Sequence, residues 1–109
     1  MEQHERLRKT ISVAIVGAGV SGLTTAKACL ESFLEVVVYE HQSHLGGVWN
    51  FRTDVEDHIG SVMHCTIVNS SKEMTAFSDF VVPKEYPNFM HNKFMVSLTN
   101  GEFFKTIFF

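Results

Sequence analysis

From Ser12 to Val16 (SVAIV) the chain is apolar and largely β-branched, and it stops at Gly17. An unbroken apolar run closed by glycine is how a strand covered on both faces reads, so this is predicted as the first strand of a parallel sheet. From Ser21 the period changes. Leu23, Ala26, Leu30 and Leu34 recur at helical spacing, with Ala28 and Cys29 between them, which predicts a crossover helix carrying small residues where it can lie close to a sheet. Glu35 to Glu40 (EVVVYE) returns as a second buried strand. Strand, helix and strand together take about 30 residues, the usual size of a βαβ unit, and such a crossover is right-handed.

The pattern then weakens. A glycine-paired loop, HQSHLGGVW, leads into an aperiodic polar stretch over 50–60, read as loop, and Val62 to Val68 (VMHCTIV) is predicted as a short strand. Pro83 and Pro87 punctuate the stretch from Phe77 to Asn92, and Phe77, Phe80, Tyr86 and Phe89 should anchor it, extended, over a surface. From Lys93 the sequence KFMVSLTNGEFFKTIFF reads as two β-prone runs around Asn100-Gly101, a hairpin signal. The expected organisation is a polar tail over 1–10, an α/β region over 11–92 and a divergent C-terminal tail over 93–109.

Composition narrows the class. The chain has 109 residues, 45% hydrophobic and 19% charged, which suits one globular domain. Nine basic against 12 acidic residues leave a net charge of −3, which argues against a nucleic-acid partner. Cys29 and Cys65 form no CxxC pair and no metal-ligand spacing, so a reducing compartment is expected, with Cys65 a packed thiol. His64 and His91 are read as structural or surface histidines. The first ten residues lack an apolar signal core, and no run approaches the roughly 18 apolar residues of a membrane helix. As written, the chain is expected neither to cross nor to enter a membrane.

The chemistry starts at GAGVSG, where Gly17, Gly19 and Gly22 stand in GxGxxG spacing between the predicted strand and helix. In that context the first glycine makes the tight turn, the second lets backbone approach a pyrophosphate, and the third lets helix and strand pack closely. The helix N-terminus then presents free N–H groups and its dipole to the phosphates. Glu40 lies 23 residues after Gly17, at the end of the second strand, where an acid meets ribose hydroxyls. A carboxylate there repels the 2′-phosphate of NADP, while FAD and NAD both remain open. Gly46 and Gly47 follow closely, before Val48 and Trp49, and a glycine pair at this distance suits backbone passing over a ligand longer than one nucleotide.

With these residues in view, the chain resembles the flavin-containing monooxygenases over residues 11–92. The matching stretches, all in order, are VGAGVSGL (Val16 to Leu23), Glu40, GGVW (Gly46 to Trp49), NSSKEM (Asn69 to Met74), FSDF (Phe77 to Phe80) and YPNFMHN (Tyr86 to Asn92). The resemblance implies the N-terminal part of a Rossmann-like FAD-binding domain, a βαβ unit in an incomplete doubly wound sheet. It also implies an FAD- and NADPH-dependent monooxygenase that transfers oxygen from O2 to the nitrogen or sulfur of small nucleophilic substrates, with flavin doing the chemistry. By position, Gly17, Ala18, Gly19, Val20, Ser21 and Gly22 would cradle the pyrophosphate, Glu40 would take the adenosine ribose, and Val48 and Trp49 would line the flavin side. Asn69, beside Ser70, would face flavin and NADP and help hold the oxygenated flavin, since a neutral amide donates without bringing a competing charge.

In the family the chain continues into a second GxGxxG domain for NADPH and a C-terminal membrane segment, placing the family at the endoplasmic reticulum membrane or in the cytoplasm. This sequence carries one GxGxxG. Three readings follow: a monooxygenase of which this is the N-terminal part, a non-catalytic FAD-binding product, and an NAD-dependent dehydrogenase, which would leave GGVW, NSSKEM and YPNFMHN unexplained.

Overall fold

The computed structural model describes residues 10–54 and 58–99. Strand β1 (Ser12–Val16), helix α1 (Val20–Glu31) and strand β2 (Glu35–Tyr39) form the expected βαβ unit. The strands pair in parallel, with Ser12 opposite Glu35 and Val16 opposite Tyr39. The ladder runs one step further, because the Gly17 N–H donates to the Tyr39 carbonyl at 2.7 Å.

Alternation along the two strands decides which side α1 covers. Ile15 is buried, with Val38 opposite it, and Leu23 and Ala26 of α1 are buried too, Ala26 completely. Ala18 and Leu23 form a small core against which Val38, Leu45, Phe77 and Phe80 pack. The other face carries Val16, 89% exposed, opposite Tyr39, 60% exposed. The expectation of strands buried on both faces therefore holds for one face only, because among the described residues no element packs on the second. Helix α1 also ends earlier than its apolar period suggested. After Glu31 the chain turns through Phe33 at φ +59°, and Leu34 N–H donates back to the Cys29 carbonyl, so Leu34 leads into β2.

A second core lies beyond the βαβ unit. Val68, Val82, Met90, Met95 and Leu98 are buried together, with Trp49, Ala76, Phe80, Tyr86 and Phe94 packed against them. Phe80 touches both cores and so joins them. The join is reinforced by Lys27 of α1, which pairs with Asp79 of the FSDF stretch and, at 3.0 Å, with Glu31. Helix α2 (Lys72–Thr75) is capped by Ser71, whose hydroxyl accepts the Met74 N–H at 3.3 Å. The Lys72 N–H is in turn taken by the Asn88 side chain at 2.9 Å.

Three expectations are corrected here. The stretch from Val62 to Val68 forms a single bridge, Ile67 to His91, instead of a strand. Phe89 does not anchor the chain: it is 61% exposed and sits at φ +50°. The first β-prone run after Asn92 is helical. Helix α3 (Asn92–Ser97) buries Met95, and Leu98 and Thr99 beyond it are 1% exposed, so residues 93–99 complete the second core. The Asn100-Gly101 turn and the run after it lie outside the described residues.

The polar centre of this region is Asn92, 3% exposed. Its side-chain amide donates to the carbonyls of Met63, His64 and Thr66 at 3.2, 3.0 and 3.0 Å, and its backbone N–H donates to Thr66. Replacing Asn92 with Ala removes this buried side-chain donor: the Met63 carbonyl keeps the Thr66 N–H and the Thr66 carbonyl keeps the backbone N–H of residue 92, while the His64 carbonyl loses its amide partner, which should cost about 1 kcal/mol. Chemical denaturation of wild type and Asn92→Ala checks this; an unchanged midpoint would show that the 63–66 turn does not depend on that amide.

Candidate functional site

The end of β1 and the start of α1 must turn sharply between two closely packed elements, and glycine makes this feasible. A Cβ on Gly22 would run into the Gly17 carbonyl oxygen, with the carbonyl carbon at 2.9 Å. Helix α1 then begins after Gly19, with no side chain capping its N-terminus and no acid in its first turn. Its leading amides and the positive end of its dipole are thereby left to an external anion.

The Gly46-Gly47 pair is positioned by that same turn. The Gly46 N–H donates to the Ala18 carbonyl at 2.9 Å, and Gly46 and Gly47 both take positive φ, +105° and +57°. A Cβ on Gly47 would lie 3.0 Å from the Gly19 Cα. The close approach expected of this pair is therefore to the other glycine turn. Gly47 opens a single 3-10 turn to Trp49, and Trp49 packs on the second core.

Between the two turns lies a cleft of about 330 Å³ lined by Val16, Gly17, Gly19, Val20, Ser21, Gly22, Gly46, Val48 and Trp49. Most of the predicted pyrophosphate and flavin-side residues thus meet around one space. Five predicted residues are not part of its lining, Glu40 among them. Ala18 is fully buried behind it. Gly47 sits against Gly19. Asn69 is exposed and Ser70 half-buried on the turn before α2, where the Ser70 hydroxyl pairs with Thr75 at 2.8 Å.

Glu40 is engaged in an unforeseen way. One carboxylate oxygen accepts the Ala18 N–H at 2.7 Å and the other accepts the Gln42 N–H at 2.9 Å. The Gln42 and Ala18 amides hold the Glu40 carboxyl below its ordinary range; the His41 amide and charge add to this, and partial burial opposes it. A larger cavity of about 480 Å³ opens beyond it, between residues 41–44 and 50–54. His64 and His91 keep to structural positions. The His64 ring meets Phe51 edge-on at 5.4 Å, and His91 Nδ1 accepts the Lys93 N–H at 3.3 Å, capping α3. Cys65, expected as a packed thiol, is exposed. No helix among the described residues is long and apolar enough to cross a membrane.

A parallel βαβ unit with a glycine turn after its first strand and an acid after its second is the mononucleotide-binding half of a dinucleotide fold. Residues 10–106 match the family model described as flavin-binding monooxygenase-like, and the chain belongs to that family. The match extends into the stretch after Lys93, which sequence reading had set apart from the family. Over 80 residues, 73% of this chain, it is 49% identical to dimethylaniline monooxygenase [N-oxide-forming] 2 of Rattus norvegicus. Over the same length it is 48% identical to flavin-containing monooxygenase 2 of Homo sapiens. The matched segment spans 15% of the length of these relatives. Among solved structures, the S-allyl-L-cysteine S-oxygenase of Allium sativum superposes with a TM-score of 0.77 at 24% identity, covering 90% of this chain and 26% of that one, and so shares the fold.

Two outcomes follow from the geometry. Gly47→Ala forces a side chain into the left-handed region and against Gly19, which should cost about 1–2 kcal/mol in thermal or denaturant unfolding; full stability would mean that the second turn is not clamped on the first. The second concerns acid. A carboxyl whose folded pKa is lowered contributes stability that is whole above the unfolded value and is lost as pH falls through the folded one. Wild type should therefore exceed Glu40→Gln in stability above pH 4.5, with the difference shrinking as pH falls below it. Acid unfolding followed by circular dichroism reads this directly.

Proposed function

We propose that the cleft between the two glycine turns grips the pyrophosphate and ADP half of FAD, as part of a monooxygenase that takes electrons from NADPH and delivers one oxygen atom of O2 to the nitrogen or sulfur of a small nucleophilic substrate. The observation that carries this reading is the uncapped N-terminus of α1 opening into a space shared by Gly17, Gly19, Gly46, Val48 and Trp49. A diphosphate placed there meets backbone donors, a helix dipole and no acidic side chain in the helix's first turn. Bound flavin would supply the redox chemistry; the protein supplies position and shielding. The printed names of the relatives, an N-oxide-forming monooxygenase among them, support the substrate class.

In this reading Glu40 takes the adenosine ribose and disfavours a 2′-phosphate. By the family resemblance Asn69 would offer its amide to the bound flavin, with Ser70 next to it in the chain. The residues described here assign no seat to NADPH, which belongs with a second nucleotide-binding region. The FAD reading is preferred over an NAD-dependent dehydrogenase because family membership accounts for GGVW, NSSKEM and YPNFMHN together.

Titration of the refolded chain with FAD and with NADP, read by flavin fluorescence and by calorimetry, tests the proposal. FAD should bind and NADP should bind at least about tenfold more weakly, the cost of about 1.4 kcal/mol of charge repulsion. Equal affinities would overturn the assignment of the acid, and no FAD binding would overturn the site.

A further inference from the structure

We propose that Glu40 is the positioning residue of both glycine turns, acting through the backbone of Ala18 on the shape of the cleft whether or not a ribose is present. The inference rests on the FAD-binding reading and adds to it a role that a ribose contact does not require.

Ala18 is completely buried, so its backbone groups have no water to turn to. Its N–H donates to the Glu40 carboxylate at 2.7 Å, and its carbonyl accepts the Gly46 N–H at 2.9 Å. One residue therefore joins the acid after β2 to the second glycine turn. The connection continues sterically, since Gly47 lies against the Gly19 backbone. Gly19 precedes the first turn of α1, and Gly46 and Trp49 line the opposite side of the cleft. Both walls of the cleft thus depend on where Ala18 is held.

The chemistry of the anchor suits a carboxylate. Its two oxygens each accept one backbone N–H, from Ala18 and from Gln42, and an ionised acid is an acceptor at both ends. A glutamine can satisfy one of these donors with its oxygen but turns an NH2 group toward the other. An aspartate, one methylene shorter, does not reach Ala18 and Gln42 together. The acid at this position is then required in charge and in length by the unliganded protein itself.

The experiment uses the full chain and two probes that differ only at the ribose, ADP and 2′,3′-dideoxy-ADP. Calorimetry compares wild type, Glu40→Gln and Glu40→Asp. If Glu40 positions the turns, both variants should lose affinity for dideoxy-ADP by about tenfold, the worth of a hydrogen bond to a charged group, and at least as much for ADP. A loss confined to ADP, or no loss for either probe, overturns the inference while leaving the site standing. Failure of wild type to bind ADP overturns the FAD reading and this inference with it. Amide hydrogen exchange on the unliganded proteins keeps the test independent of ligand. Glu40→Gln should lower protection at Gly46 as well as Ala18 and spare the β1–β2 ladder; undiminished protection at Gly46 overturns the inference, and loss across the ladder also overturns it, in favour of a general folding role.

Discussion

The contact between two glycine turns, with Gly47 held against Gly19 and the Gly46 N–H on the Ala18 carbonyl, is what the rest of this molecule is arranged around. It needs two stretches of backbone to meet more closely than side chains allow. It brings the end of β1, the N-terminus of α1 and the Gly46–Trp49 turn to one cleft. Because Trp49 also packs on the second core, the same contact ties the βαβ unit to the chain that follows it.

The family's motifs divide between two tasks. GAGVSG and GGVW line or support the cleft. Within NSSKEM, FSDF and YPNFMHN, several residues hold structure together: Ser71 caps α2, Asp79 pairs with Lys27, Phe80 bridges the cores, Asn88 holds Lys72, and Asn92 gathers three carbonyls. Their order along the chain is thus partly the order in which the second core is fastened to the first. Asn69 and Ser70 stand apart from this, on the turn before α2 and clear of the cleft lining.

Electrostatics follow the same economy of parts. The helix N-terminus is left uncapped while the nearby acid is satisfied by backbone amides, so the positive end of α1 stays available to an anion and the carboxylate does not compete for it. A cap at Gly19 or an acid in the first helical turn would neutralise this feature.

By itself the sequence determined the elements whose cause is local. An apolar run closed by glycine, a helical period and a second apolar run define β1, α1 and β2 without reference to anything distant, and GxGxxG marks the turn between β1 and α1 because turn geometry is set within a few residues. The tertiary structure decided the rest. KFMVSL reads as β-prone, yet Met95, Leu98 and Thr99 follow helical spacing, and the buried cluster they enter, together with the His91 cap, selects the helix. Val62 to Val68 has strand composition, but among the described residues it meets only His91 as a bridging partner. The partner of Glu40 could not be read either: that the acid meets the Ala18 N–H depends on two strand ends lying side by side, a relation that spacing along the chain does not contain.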